Sequence, residues 1–333
     1  MTPRRSVSPA VRDLFEKARS VTAVPAVRAG LAFAAVAVAL WLVRNQLEQI
    51  SVSGLVAALR ATPPLSIALS ALFTGLSFAC LAVVEWQALK IIGRPQSPTR
   101  VAVASFTSNA ISSVMGFGVV SGTAVRLRTY AFAKLKASEI ARLVVLLQGA
   151  TLVSGIVALG LSLLHGLPRA LARSADGWLI LARDFALLAP IALWFVLFRK
   201  SGEKSRSSRT VLDRLIALAA GFGDWLFSGA ALFVLSAFVL SPHDVGAFIG
   251  FMRVFCLGSL LGSLAGLPGG LGVLEAVMLG QQTKGHVHET AAALILYRVI
   301  YFLGPLAVTL TGEGARRGSA ILARLRAANR DAG

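Results

Sequence analysis

Apolar residues fall in long runs separated by short polar stretches. Leu65–Val84 and Leu143–Leu164 each reach the ~20 residues that carry a helix across a hydrocarbon core. Leu179–Phe198, Ile216–Leu240 and Ala291–Gly312 are further spans of the same kind, and Ala29–Val43 is a shorter one that reaches this length by borrowing residues from Val21 onward and snorkelling Arg28. Two runs differ. Val101–Val125 carries no charge but is rich in Ser, Thr, Asn and Gly, and is broken at Gly116-Phe117-Gly118. Phe248–Leu274 is broken at Gly266-Leu267-Pro268-Gly269-Gly270-Leu271-Gly272 and runs into Glu275. Glycine and proline interrupt helices, and interrupted backbone survives at membrane depth only inside protein or beside a polar cavity. The pattern predicts an all-α, polytopic membrane protein with eight apolar segments.

Charge decides how the segments cross. With all eight as crossings, Lys and Arg divide 17 to 14 between the two sides. With both broken segments as re-entrant helical hairpins, the division is 25 to 6, leaving out Arg253 and Arg298 inside segments. The positive-inside rule selects the second arrangement, with six full spans, two hairpins and both termini cytoplasmic. Each half then holds three crossings and one hairpin, so the halves are inverted repeats, the plan of many transporters. An offset of 150 aligns Ser113 with Ser263, Gly116 with Gly266, Gly122 with Gly272, Lys134 with Lys284 and Glu139 with Glu289. The organisation is a basic leader (1–28), a first membrane half (29–198), a basic linker (199–214), the rest of the second half (215–312) and a basic tail (313–333).

Composition agrees: 56% of the 333 residues are apolar and 14% charged. The net charge of +18 lies in the gaps between runs, which points to anionic phospholipid headgroups rather than nucleic acid. Cys80 and Cys256 sit in apolar runs and imply no disulfide framework. His286 and His288 do not make a metal site, and nucleotide-binding and hydrolase motifs are missing. The chain reads as a non-enzyme without cofactors.

Charges inside apolar segments are the candidate chemistry, because each costs ~2.5–3.5 kcal/mol unless it faces a cavity or a partner. They are Asp224, Arg253 and Arg298, with Glu85, Arg126, Arg128 and Glu275 at segment ends or breaks. Asp224 has Arg253 and Arg298 as ion-pair candidates; Glu85 and Arg128 read equally well as interfacial anchors. Asn109 and Tyr130 flank the first break. Backbone N–H groups at Gly269 and Gly270 suit an anion, and guanidinium forks suit a phosphodiester. The acids suit a cationic group or a coupling proton.

Ser121-Gly122-Thr123-Ala124-Val125-Arg126-Leu127-Arg128-Thr129-Tyr130 followed by Ser138-Glu139-Ile140-Ala141 resembles the first-half signature of the lysylphosphatidylglycerol synthase transmembrane family. Leu267-Pro268-Gly269-Gly270-Leu271-Gly272-Val273-Leu274-Glu275 with Leu296-Tyr297-Arg298 resembles its second-half signature. Glu85-Trp86 and Asp224-Trp225 stand where that family tends to place an acid before Trp. The family more often has Gly at Thr123 and an aromatic at Leu127. Its members include the flippase portion of the multiple peptide resistance factor and standalone homologues. The resemblance implies a flippase in a bacterial cytoplasmic (inner) membrane that moves an anionic or aminoacylated phospholipid such as lysyl-phosphatidylglycerol, without synthase activity. An ion-coupled transporter of a small soluble solute and a non-transporting subunit that docks a lipid-modifying synthase remain alternatives. Homo-oligomerisation is compatible with either.

Overall fold

The computed structural model describes residues 51–115, 118–133, 135–164, 191, 192, 194, 208–236, 245–264, 270, 272–281 and 286–312. The leader, the first span, most of the span at 179–198, linker residues 199–207, Gly269 and the basic tail lie outside them. The described residues are helical, with no strand among them.

Short helix α1 is Val52–Ala61, capped by the Ser51 hydroxyl, which accepts from the Gly54 N–H. Helix α2 is Pro64–Ile91. It starts on a proline, whose missing N–H costs nothing in a first turn. It ends at Gly93, whose φ of 77° lets the Arg94 N–H reach back to the Leu89 carbonyl at 2.9 Å, a left-handed terminus that favours glycine. Helices α3 (Pro98–Met115) and α4 (Gly118–Thr129) follow. Helix α5 is Ala137–Leu164, and its Glu139 carboxylate accepts from the Lys136 N–H at 2.8 Å. Helix α6 is Ser208–Ser236, α7 is Val245–Leu264 and α8 is Val273–Gly280. Helix α9 runs from Val287 to Gly312, with a π-helical stretch over Arg298–Leu303. Pro305 accounts for that stretch, since it has no N–H to donate and its ring crowds the preceding turn. The Gly304 N–H bonds the Val299 carbonyl instead.

Five of these helices are long and apolar enough to cross a membrane: Pro64–Ile91, Ala137–Leu163, Val211–Ser236, Val245–Ser263 and Val287–Gly312. Leu65, Leu72, Val145, Leu261, Val308 and Leu310 point outward and are exposed. Apolar surface on that scale belongs in lipid. The protein is therefore a polytopic helical membrane protein.

Both broken segments fold back on themselves. Ser108 on α3 lies beside Thr129 on α4, their hydroxyls 3.1 Å apart. Gly262 on α7 meets Gly270 so closely that a Cβ at 262 would fall 2.8 Å from the Gly270 Cα, and Gly258 faces Leu274. Three differences from the sequence expectation stand out. The second hairpin is unequal: α7 is itself long enough to span, whereas α8 has eight residues. The basic stretch expected as linker is already helical from Ser208, with Arg214 buried and Lys90 3.8 Å from Asp213. Helix α2 runs past Val84 to Ile91, so Glu85 is not at an interface.

Packing fixes which helix ends share a face. Lys90 beside Asp213 and Arg94 beside Glu139 gather the end of α2 with the starts of α5 and α6. At the opposite ends, Ser51 meets His288 and Arg253 donates to the Ser162 carbonyl. Helix α2 lies along α6 as the most extensive packed pair, and α6 also packs on α5.

Candidate functional site

A cavity of about 280 Å³ lies between hairpin one and helices α2, α5 and α6, with Ser263 of α7 and Tyr301 of α9 also on its wall. Asn109, Ser112 and Ser113 of α3 line it, with Arg126 of α4, Asp224 of α6 and Ser263 of α7. Ser113 and Ser263, the pair aligned by the 150-residue offset, are both on its wall.

Arg126 and Glu85 form the best-ordered part of the site. The guanidinium Nε donates to Glu85 Oε1 at 2.9 Å and Nη2 donates to Glu85 Oε2 at 2.8 Å. Nη2 also donates to Asn109 Oδ1 at 3.2 Å, and the Asn109 amide donates to Ser105 Oγ at 3.1 Å. The Tyr130 hydroxyl donates to Glu85 Oε1 at 3.0 Å. Glu85 is 0% and Arg126 5% exposed in their side chains. Such burial is tolerable only because both carboxylate oxygens and one guanidinium edge are bonded. The arrangement leaves Nη1 over: it makes no hydrogen bond among the described residues, while Arg126 lines the cavity. Glu85 fixes the orientation of the guanidinium, and the free edge is available to an anion.

Asp224 is the other charged group of the cavity, at the midpoint of the span Val211–Ser236. Its Oδ1 accepts from the Ser77 hydroxyl of α2, and Ser77 Oγ lies 2.7 Å from the Tyr301 hydroxyl. Among the described residues Asp224 has no basic partner. The ion pairs open to it in the sequence do not form. Arg298 pairs with Glu275 at 2.7 Å, and Arg253 reaches the Ser162 carbonyl at 3.2 Å. The π-helical turn puts Arg298 and Tyr301 to separate uses, one on α8 and one on Asp224. Both acid–Trp pairs anchor through the indole. Trp86 Nε1 donates to the Gln96 carbonyl at 3.2 Å and Trp225 Nε1 donates to the Thr151 carbonyl at 2.8 Å.

Of the residues singled out in the sequence, the fold thus gathers Glu85, Asn109, Arg126, Tyr130 and Asp224 at or behind one cavity. Glu275 and Arg298 pair at hairpin two, where Gly270 meets Gly262. There Glu275 Oε2 accepts from the Gly272 N–H at 2.8 Å, closing the first turn of α8. Arg128 is exposed and Arg253 lies towards the far end of α5; neither lines the cavity. Gly269 is outside the described residues. Ser77 and Tyr301 were not legible as site residues. A lone Ser in an apolar helix carries no signal, and neither does a lone Tyr in the last apolar run.

No protein-family model matches the chain. It is 26% identical to an uncharacterized protein of Synechocystis over 72% of its own length and 76% of that protein. It is 25% identical to the phosphatidylglycerol lysyltransferase of Bacillus subtilis over 62% of its length. It is 24% identical to the inner membrane protein YbhN of Escherichia coli over 66% of its length and 70% of that protein. The chain spans about a quarter of the lysyltransferase (24%). These similarities agree with the family resemblance carried by the motifs.

Proposed function

We propose that this protein is a lipid translocator, moving the headgroup of an anionic or aminoacylated phospholipid between leaflets. The observation that carries this reading is the cavity itself, which presents a free guanidinium edge on Arg126 and an unpaired carboxylate on Asp224. Arg126 Nη1 would take the phosphodiester and Asp224 the ammonium of an aminoacyl group. A space of about 280 Å³ suits a headgroup while the acyl chains stay in lipid. The likeness to phosphatidylglycerol lysyltransferase supports that lipid class, and the reading includes no synthase activity.

In this reading the halves are inverted repeats with six full spans and two re-entrant hairpins, and both termini are cytoplasmic. The face with Arg94, Lys136 and Arg214 is the cytoplasmic one, and the face with Ser51 and His288 is external. Hairpin one enters from inside and hairpin two from outside, and both contribute to the wall of a site near mid-membrane.

The test is reconstitution of purified protein into vesicles with headgroup-labelled phosphatidylglycerol or lysyl-phosphatidylglycerol. Outer-leaflet label is then destroyed by an impermeant quencher. Quenching beyond the outer-leaflet fraction is expected for wild type and is expected to be lost in Arg126→Lys, which keeps the charge but not the fork. Wild-type vesicles that quench no further than empty ones would remove lipid translocation from consideration.

A further inference from the structure

Resting on the lipid-translocation reading, we infer that Asp224 couples transport to protons: it holds a proton when the site is empty and exchanges it for the ammonium of a cationic headgroup. The protein would then be a proton–lipid antiporter.

The argument starts from where the charges are already committed. Arg126 is bonded to Glu85 and Asn109, Arg298 to Glu275, and Arg253 to a backbone carbonyl. Among the described residues, Asp224 is the one charged group lining the cavity that has no opposite charge beside it. The groups that face it are neutral: Ser77 and Cys80 from α2, and Tyr297 and Tyr301 from α9. Arg126 of α4 lies on the same cavity wall but is held by Glu85. Gln148 and Thr151 of α5 and Ser263 of α7 complete the polar lining.

A carboxylate at mid-membrane without a counter-charge is the costly state. Two states avoid that cost: the neutral acid, and the carboxylate paired with an ammonium. Hydroxyl partners suit both, because Ser and Tyr O–H groups donate to a carboxylate and accept from a carboxylic acid. An Arg or Lys partner would have locked Asp224 ionised. The empty site therefore reorients with the proton on Asp224, and the loaded site reorients with the ammonium. On loading, Asp224 gives its proton to water on that side as the ammonium pairs with the carboxylate. On the other side the ammonium leaves and a proton from that side's water replaces it. Each cycle moves one aminoacylated lipid one way and one proton the other. An acidic exterior would drive cationic lipid into the outer leaflet.

The experiment uses vesicles containing lysyl-phosphatidylglycerol and full-length protein, with the membrane potential clamped. A pH difference of one unit is imposed in either direction, then collapsed, and outer-leaflet amine is counted with an impermeant amine reagent at one common pH. One-for-one exchange predicts an outer-to-inner ratio approaching tenfold toward the acidic side, reversing when the gradient is reversed. Headgroup-labelled phosphatidylglycerol, which has no amine and is read in parallel vesicles with the impermeant quencher, is expected to stay evenly distributed. Asp224→Asn is expected to leave lysyl-phosphatidylglycerol evenly distributed under either gradient. Ser77→Ala, which keeps the carboxyl group, is expected to retain the gradient response at an altered rate. Wild-type lipid that equilibrates but ignores the gradient overturns the coupling and leaves translocation standing. A gradient response that persists in Asp224→Asn overturns the assignment to this residue. No movement of either lipid overturns both readings.

Discussion

The two broken segments solve the same problem differently. Both fold into a hairpin, and both place an ion pair near the second arm. In hairpin one the pair Glu85–Arg126 is 0% and 5% exposed and ties the hairpin to α2. In hairpin two the pair Glu275–Arg298 is 24% and 16% exposed and ties the short α8 to α9. The glycines differ as well. Gly262 lets two backbones touch, with its would-be Cβ 2.8 Å from the Gly270 Cα. Gly122 instead makes room for a side chain, with its would-be Cβ 3.0 Å from Arg126 Nη1. Hairpin two is held mainly by backbone fit and hairpin one by a buried network. Only the network includes a residue of the cavity wall, Arg126, whose Nη1 makes no hydrogen bond among the described residues.

The sharpest way to break this contrast is to remove one member of the buried pair. Arg126→Ala strands Glu85 in the interior and is expected to cost about 3–5 kcal/mol of stability. A fall in thermal stability in detergent, larger than for any other single change here, checks it. The double change Glu85→Gln with Arg126→Gln is expected to recover most of the stability but not transport.

Glycine replacement sharpens the comparison further. Gly262→Ala forces two backbones apart and is expected to cost about 1–3 kcal/mol. Gly122→Ala meets only the guanidinium edge, so it is expected to spare stability and slow translocation by displacing Nη1. Parallel melting and vesicle assays separate the two. Equal losses of stability would erase the distinction between the hairpins.

The smallest effect belongs to hairpin two's ion pair. Glu275→Gln keeps an acceptor for the Gly272 N–H and loses only a half-open charge pair, for an expected cost of about 1–2 kcal/mol. A loss as large as that of Arg126→Ala would mean that Glu275 is as deeply committed as Glu85.

Much of the molecule was legible in the sequence. Long apolar runs fixed the helical membrane class, because lipid offers no partner to an open backbone. Glycine clusters marked both hairpin turns. Asp224 announced itself as a charge inside an apolar segment, and Glu85 and Arg126 as charges at segment ends or breaks. What failed was partner assignment: Asp224 had two plausible arginines in sequence, and neither pairs with it. Glu85 passed for an interfacial anchor because the apolar run ends there, yet the helix continues for another turn and a half.

Sequence by itself determined the class of fold, the positions of the breaks and the short roster of charges, since each follows from local hydropathy and backbone chemistry. The tertiary structure decided which charge meets which, that Ser77 and Tyr301 surround Asp224, and that one edge of Arg126 is left over. Those contacts join residues 23 to 224 positions apart. They depend on helix rotation and depth, and rotation in turn depends on packing against neighbours that no local window of sequence contains.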